Sequence, residues 1–497
     1  MDSFSSLSPH EQRFDDWRRT IGFFAGPLVF GVVWLLPMPG LEPPAHHLAA
    51  IVSFVVVWWV TEPIPIPATA LIGAALMVVA NVATAQAAFA QFANPTIFLF
   101  IGSFILAEAL AVHGLDRRVA GFLLSAAWVR RSPFRVRFAF GGLAVAISMW
   151  MSNTATAAML LPVALGLLGG GSAGAGRPAE RGLLLTLAYA CSIGGVATPV
   201  GTPPNLIAIG MLGTLAGFEV DFFRWMAIGV PVSLGMYAAL TGLMRWLYPV
   251  SASGEDATLP TAPAKSELAR LNRGQAVCLV AFGTAVVLWL APGIIAIVAG
   301  TSSPAYKLVS SRLDESVVAI LAAGLLFVLP VNWSRREFAL TWTHAARIDW
   351  GTILLFGGGL ALGNQMFQTG LAAKIGHGLV AMSGATSLWT ITTVIALVTV
   401  LTTEITSNTA AANMLVPVAI AVAGAAGVSP VPPAIGVAIA ASLAYMLPIS
   451  TPPNAIVYGT GRVPVTAMVK CGLLLDLASV ALTLLALRLL CPVLGLT

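Results

Sequence analysis

Apolar residues run along this chain in long unbroken stretches, with polar residues gathered in short clusters between them. A helical bilayer crossing needs roughly 20 apolar residues. Eleven stretches are close to that length or longer, at approximately 20–37, 46–62, 66–83, 94–113, 183–215, 224–248, 274–292, 316–331, 350–369, 433–459 and 467–491. The runs are continuous and lack the two-residue rhythm of a membrane β-barrel, which predicts helices. Two further apolar stretches, about 136–170 and 388–422, are too long for one crossing, and each carries Ser-Asn-Thr in its middle. They are expected to be re-entrant hairpins, because interrupted backbone at membrane depth persists only when protein or a cavity covers it. The expected fold class is an all-α polytopic membrane protein with about eleven transmembrane helices and two re-entrant hairpins.

Composition agrees. Of 497 residues, 58% are hydrophobic and only 9% charged, where a soluble surface needs about a quarter charged. A soluble enzyme, a nucleic-acid binder and a disordered chain are excluded. The net charge of +5 is read as a topology signal. With the N-terminus inside and each hairpin returning to its own side, only Arg224, Lys307, Arg312, Lys374 and Arg488 of the 25 lysines and arginines fall outside. That predicts a cytoplasmic (inner) membrane location with the N-terminus inside and the C-terminus outside. Residues 1–20 form a cytoplasmic tail. The polar, Pro- and Ala-rich stretch 249–273 is a cytoplasmic linker between halves. Stretches 115–131 and 371–382 read as amphipathic helices on the membrane surface, each just before a hairpin. The four cysteines and six histidines form no ligand pattern.

The chain repeats itself. Ser152 to Ala164 reads SNTATAAMLLPVA and Ser407 to Ala419 reads SNTAAANMLVPVA, identical at ten of thirteen positions. Upstream, Thr96 to Phe100 with Gly114-Leu115 matches Thr352 to Phe356 with Gly370-Leu371. Downstream, Gly201-Thr202-Pro203-Pro204-Asn205 matches Ser450-Thr451-Pro452-Pro453-Asn454. Three blocks recur in the same order. The first hairpin opens inside and its copy outside, so the two repeats have inverted topology, an architecture of secondary transporters with midplane sites.

The interruptions carry the chemistry. Ser, Asn and Thr end one helix and cap the next. A chain reversal presents free N–H groups at a helix N-terminus, an anion site that needs no Arg or Lys. The incoming half-helix leaves free C=O groups which, with hydroxyls, suit a hard cation such as sodium. Two prolines in Thr-Pro-Pro-Asn remove donors and stop a helix, so a broken helix is expected to face each tip. Two symmetric anion-binding tips suit a substrate with two separated negative charges, such as a dicarboxylate. No ionisable residue lies within these motifs. Glu404 aligns with Met149 in the repeat, so a structural or loop-facing role is favoured over a coupling role. No HExxH, no GxSxG and no paired membrane carboxylates are found, so an enzyme or a channel is disfavoured.

Trp58-Trp59-Val60-Thr61-Glu62-Pro63-Ile64-Pro65, the paired Ser-Asn-Thr tips, the paired Thr-Pro-Pro motifs and ASLAYMLPISTPPNAIV at 441–457 resemble the divalent anion/sodium symporter family of INDY-type dicarboxylate transporters. The resemblance covers nearly the whole chain and implies a site residue by residue. Substrate carboxylates would be held at Ser152, Asn153, Thr154, Ser407, Asn408 and Thr409, and the site closed by Thr202, Pro203, Thr451 and Pro452. One sodium would lie around Ser148, Ser152, Asn153 and Gly201, and a second around Thr403, Thr406, Asn408 and Ser450. It further implies a homodimer with an elevator mechanism. Residues 21–131 and 274–383 would be scaffold helices with an interfacial arm, and 132–248 and 384–497 the moving hairpins and broken helices. The expected function is sodium-coupled symport of small dicarboxylates of the succinate, malate and fumarate class, with at least two sodium ions. A sodium-independent dicarboxylate exchanger and a sulfate or tricarboxylate carrier are the alternatives.

Overall fold

A computed structural model describes residues 9–168, 178–249 and 271–497. The first half comprises α1 (Pro9–Leu35), α2 (Pro43–Thr61), α3 (Ile66–Val79), α4 (Ala85–Ala90), α5 (Pro95–Val112), α6 (Leu115–Ser125), α7 (Pro133–Ser148), α8 (Asn153–Leu167), α9 (Pro178–Val196), α10 (Pro203–Met211) and α11 (Phe222–Leu247). The second half begins with α12 (Arg273–Ala299), α13 (Pro304–Arg312) and α14 (Glu315–Val328). A two-stranded turn, β1 (Pro330–Asn332) with β2 (Glu337–Phe338), and α15 (Trp342–Ala345) follow. The rest is α16 (Trp350–Gln368), α17 (Leu371–Ser383), α18 (Leu388–Thr403), α19 (Asn408–Ala425), α20 (Val431–Ser442), α21 (Pro452–Tyr458) and α22 (Val465–Val493). Most of the predicted linker and the first eight residues lie outside the described residues.

Each of the eleven predicted spans is helical. Those at 183–215 and 433–459 are broken into α9/α10 and α20/α21. Among the described residues, six helical stretches are long and apolar enough to cross a bilayer unaided: Pro43–Thr61, Ala85–Val112, Phe222–Leu247, Arg273–Ala299, Asn408–Ala425 and Val465–Val493. The shortfall from eleven has physical reasons. α3 and α14 have 14 residues each, about 21 Å at 1.5 Å per residue, and two spans are interrupted. The remaining two, α1 and α16, carry polar residues. Asn408–Ala425 belongs to a predicted hairpin, not to the eleven.

Prolines set many of the helix starts. α2, α3, α5, α7, α10, α13, α20 and α21 each carry Pro in the first turn, where its missing N–H costs nothing. The two arms begin alike: Gly114 (φ 60°) precedes α6 and Gly370 (φ 78°) precedes α17, a left-handed turn that glycine adopts without steric cost. The first arm is shorter than expected. α6 ends at Ser125 and a separate 3₁₀ turn follows at Val129–Arg131. The second arm meets α18 at a bend of 98°.

Packing repeats between halves. α7 packs on α9 as α18 packs on α20, and α3 lies on α16 as α14 lies on α5. α9 and α20 are buried along almost their whole described length, as expected for helices apolar on all sides. The second pieces of the broken helices cross over: α10 packs against α19 and α20, and α21 against α8 and α9. A separate apolar cluster joins α2, α3 and α16 through Leu48, Ile51, Trp59, Ala74 and Leu362. The outward faces keep bare apolar side chains such as Val298, Val328 and Leu489, as a lipid-facing surface requires.

Candidate functional site

Both Ser-Asn-Thr motifs sit at chain reversals, each starting a helix. Ser152 is the N-cap of α8, with extended backbone (φ −60°, ψ 141°), and its Oγ accepts the Ala155 N–H at 3.2 Å. Ser407 takes the same place before α19 (φ −59°, ψ 135°), and its side chain makes no cap bond. The asparagines that follow fold the tips back. Ser148 Oγ donates to Asn153 Oδ1 at 2.7 Å, and Thr403 Oγ1 donates to Asn408 Oδ1 at 2.8 Å. The two bonds are symmetric across the repeat, from the end of the incoming helix to the start of the outgoing one.

Each break lies beside a tip. A Cβ on Gly195 would sit 2.5 Å from Asn153 Oδ1, and one on Gly201 would sit 2.5 Å from the Gly195 carbonyl oxygen. Ser148, Asn153 and Gly201 are thus gathered around Gly195, at the point where α9 stops. On the other side, Thr403 Oγ1 also lies 2.8 Å from the Ala441 carbonyl, at the end of α20, so its one proton is shared between that oxygen and Asn408 Oδ1. Ser450 Oγ donates to Leu447 C=O at 2.7 Å within the break. Thr406 turns back on its own strand of chain, donating to Thr402 C=O at 2.9 Å.

The prolines of both Thr-Pro-Pro-Asn motifs open a helix, and of the two threonines Thr451 caps its helix with its side chain while Thr202 makes no cap bond. Thr202 and Thr451 are buried N-caps with extended backbone, and Pro203 and Pro452 open α10 and α21. The asparagines stitch each break shut. Asn205 Nδ2 donates to the Gly195 and Thr198 carbonyls at 2.9 and 2.7 Å. Asn454 Nδ2 donates to Leu447 C=O at 3.0 Å and to Ser450 Oγ at 3.1 Å. The Oδ1 of each is buried and has no hydrogen-bond partner among the described residues. Around the tips, Ser152 and Thr154 are exposed and Asn153, Ser407, Asn408 and Thr409 half-buried. Hydroxyls, amides and helix N-termini are therefore open to a ligand, backed by carbonyls at the breaks.

Two residues went unrecognised as a unit in the sequence. Glu404 is 3% exposed and reaches across to the second break. Its Oε1 accepts the N–H groups of Tyr445 and Met446 at 2.8 and 3.0 Å, and its Oε2 that of Leu447 at 3.0 Å. It is buried and bonded to the loop that interrupts the second broken helix, in keeping with the expected structural or loop-facing role. Asp476, midway along α22, sits beside it. The expectation of no paired membrane carboxylates is thus corrected. A carboxylate in the middle of the apolar run 467–491 was the available signal. The pairing depends on α18 and α22 packing together, which spacing does not disclose.

Paired hairpin tips facing paired broken helices define the class: a secondary membrane transporter, not an enzyme. The chain belongs to the family of the sodium:sulfate symporter transmembrane region, whose model matches residues 18–497. It is 33% identical over 489 residues to the sodium-dependent dicarboxylate transporter SdcS of Staphylococcus saprophyticus, covering 95% of this chain and 91% of that one. It is 31% identical over 492 residues to SdcS of Staphylococcus aureus USA300, again 95% and 91%. In fold it is similar to the Alcanivorax borkumensis YdaH transporter (TM-score 0.56, 16% identity, 98% of each chain). Neisseria gonorrhoeae MtrF is a second such neighbour (TM-score 0.50, 12% identity, 92% of this chain and 97% of that one).

Proposed function

We propose that the chain couples import of small dicarboxylates, of the succinate, malate and fumarate class, to sodium entry. The carrying observation is the symmetric pair Ser148–Asn153 and Thr403–Asn408. Each asparagine joins a helix end, rich in free carbonyls and suited to a cation, to a helix start, rich in free N–H groups and suited to an anion. Ser152, Asn153, Thr154, Ser407, Asn408 and Thr409 hold the two carboxylates, and Thr202, Pro203, Thr451 and Pro452 border the site. One sodium is assigned to Ser148, Ser152, Asn153 and Gly201, and another to Thr403, Thr406, Asn408 and Ser450. Both relatives bear the name sodium-dependent dicarboxylate transporter, which supports the assignment.

The electrostatics favour such coupling for net import. Each elementary charge moved across 100 mV is worth about 2.3 kcal/mol. A dianion entering a negative cell needs two sodium ions for neutrality, and a third makes the potential a driving force. The reading includes eleven crossings with the N-terminus inside and the C-terminus outside, in the inner membrane. The hairpins and broken helices move like an elevator against scaffold helices in a homodimer, with α6 and α17 as arms.

A substrate panel in proteoliposomes tests this. Labelled succinate should accumulate under an inward sodium gradient, and unlabelled malate and fumarate should compete for it. Competition by sulfate or citrate alone would move the substrate class to the alternatives. Counterflow that ignores sodium would make the protein an exchanger.

A further inference from the structure

Arginines gather where the first hairpin begins. Arg135, in the first turn of α7, has its Cζ 5.8 Å from the centre of the Trp128 ring, and Arg245, in the last turn of α11, has its Cζ 5.3 Å from the centre of the Phe134 ring. Phe138 joins the two rings, its centroid 6.4 Å from that of Trp128 and 6.3 Å from that of Phe134. Buried Arg137 ties the start of α7 to the end of α11 by donating to the Tyr248 carbonyl at 2.7 Å. Exposed Arg131 lies just before α7. Among the described residues, Arg131, Arg135 and Arg245 form no ion pair.

The second repeat shows that a hairpin of this kind does not need these charges. In the register that sets Ser152 on Ser407, Arg131, Arg135 and Arg137 fall on Thr386, Thr390 and Thr392. The helix starts differ as well. Ser387 Oγ accepts the Thr390 N–H at 3.2 Å, whereas its counterpart Ser132 makes no side-chain cap bond for α7. The first hairpin thus sets an uncapped helix start, the positive end of a dipole, beside guanidiniums that no carboxylate neutralises.

A topology signal needs only positive charge in a loop. It does not need guanidiniums held on rings at the meeting of two helices. Stacking uses the face of a guanidinium and leaves its N–H edge, the part that fits a phosphate. Trp128 and Trp246 are exposed at the same end, and exposed tryptophans of a membrane protein sit at the level of the lipid headgroups.

We propose that the start of α7 and the end of α11 bind the phosphate of an anionic phospholipid through Arg131, Arg135 and Arg245. The acyl chains lie against exposed apolar side chains such as Phe138. This surface is separate from the hairpin tips and depends neither on sodium coupling nor on the substrate.

The test titrates the full-length protein in neutral detergent with dioleoylphosphatidylglycerol or dioleoylphosphatidylcholine and reads the thermal midpoint, which a lipid bound to the native state raises. Phosphatidylglycerol should raise it at concentrations where phosphatidylcholine does not. Arg135→Gln combined with Arg245→Gln should need about 10- to 30-fold more phosphatidylglycerol for the same rise. Arg335→Gln combined with Arg336→Gln removes as much charge from an exposed turn elsewhere and should respond as the wild type does. Equal responses to the two lipids overturn the proposal, as does a wild-type response from R135Q/R245Q or an equal loss in R335Q/R336Q. A full rise with glycerophosphate alone also overturns it, since the site would then serve soluble anions. Should R135Q/R245Q fail to fold, R245Q alone, at an exposed position, is read by native mass spectrometry. Phosphatidylglycerol retained by R245Q as by the wild type overturns the proposal; weaker retention upholds it.

Discussion

The two halves reach the same site geometry with different fastenings. In the first, the break between α9 and α10 spans only 197–202. Thr198 Oγ1 donates to the Met149 carbonyl, and Asn205 ties the break's carbonyls together. In the second, the break between α20 and α21 spans 443–451. Asn454 plays the part of Asn205, but a longer break leaves more backbone N–H groups without a helix to bond to, and buried donors must be satisfied. Glu404, standing where the first half has Met149, supplies the acceptor. The repeat thus keeps the Ser-Asn-Thr tips and the Thr-Pro-Pro-Asn breaks and varies what supports them.

Substitutions at the shared positions should have the largest effect. Asn153→Ala and Asn408→Ala each remove an oxygen that joins the two arms of a tip, and sodium-driven succinate uptake should fall about 100-fold or more in folded protein. One variant retaining full uptake would break the symmetry of the account. Glu404→Ala comes next, and here the halves should part. It leaves three buried N–H groups bare, a cost of about 3–5 kcal/mol visible as a lower thermal midpoint. Met149→Ala should cost about 1 kcal/mol or less. A similar loss from both would mean that the carboxylate clamp is not what distinguishes the second break.

Smaller contrasts sharpen the comparison. Asn205→Ala and Asn454→Ala should destabilise by similar amounts, about 1–3 kcal/mol each, since each removes two bonds inside its break. Thermal unfolding of the two variants side by side checks this. Smallest is the pair Ser152→Ala and Ser407→Ala. Ser152 caps α8 and its loss should cost about 1 kcal/mol. Ser407 makes no cap bond, so its loss should leave the thermal midpoint unchanged while weakening succinate binding.

Much of this was legible in the residues. The chain reversals at Ser-Asn-Thr, the breaks at Thr-Pro-Pro-Asn and the helices that start after Gly114 and Gly370 follow from interruptions placed within apolar runs, which spacing displays directly. Ser148 and Thr403, assigned through the family resemblance, do meet their asparagines. What spacing could not display is contact between segments far apart in the chain. Glu404 reads as a polar oddity until α20 ends beside it, and Asp476 as a lone acid until α22 packs on α18. The helices α3 and α14, of 14 residues each, are shorter than the apolar runs that predicted them.

The central claim is that anion and sodium share the tips, so that each must favour the binding of the other. The direct measurement is the thermal midpoint of the purified protein with succinate added in sodium and in choline, because a ligand bound to the native state alone raises stability by mass action. The account predicts a succinate-dependent rise in sodium, none in choline, and none in either for Asn153→Ala. An equal rise in choline would contradict it.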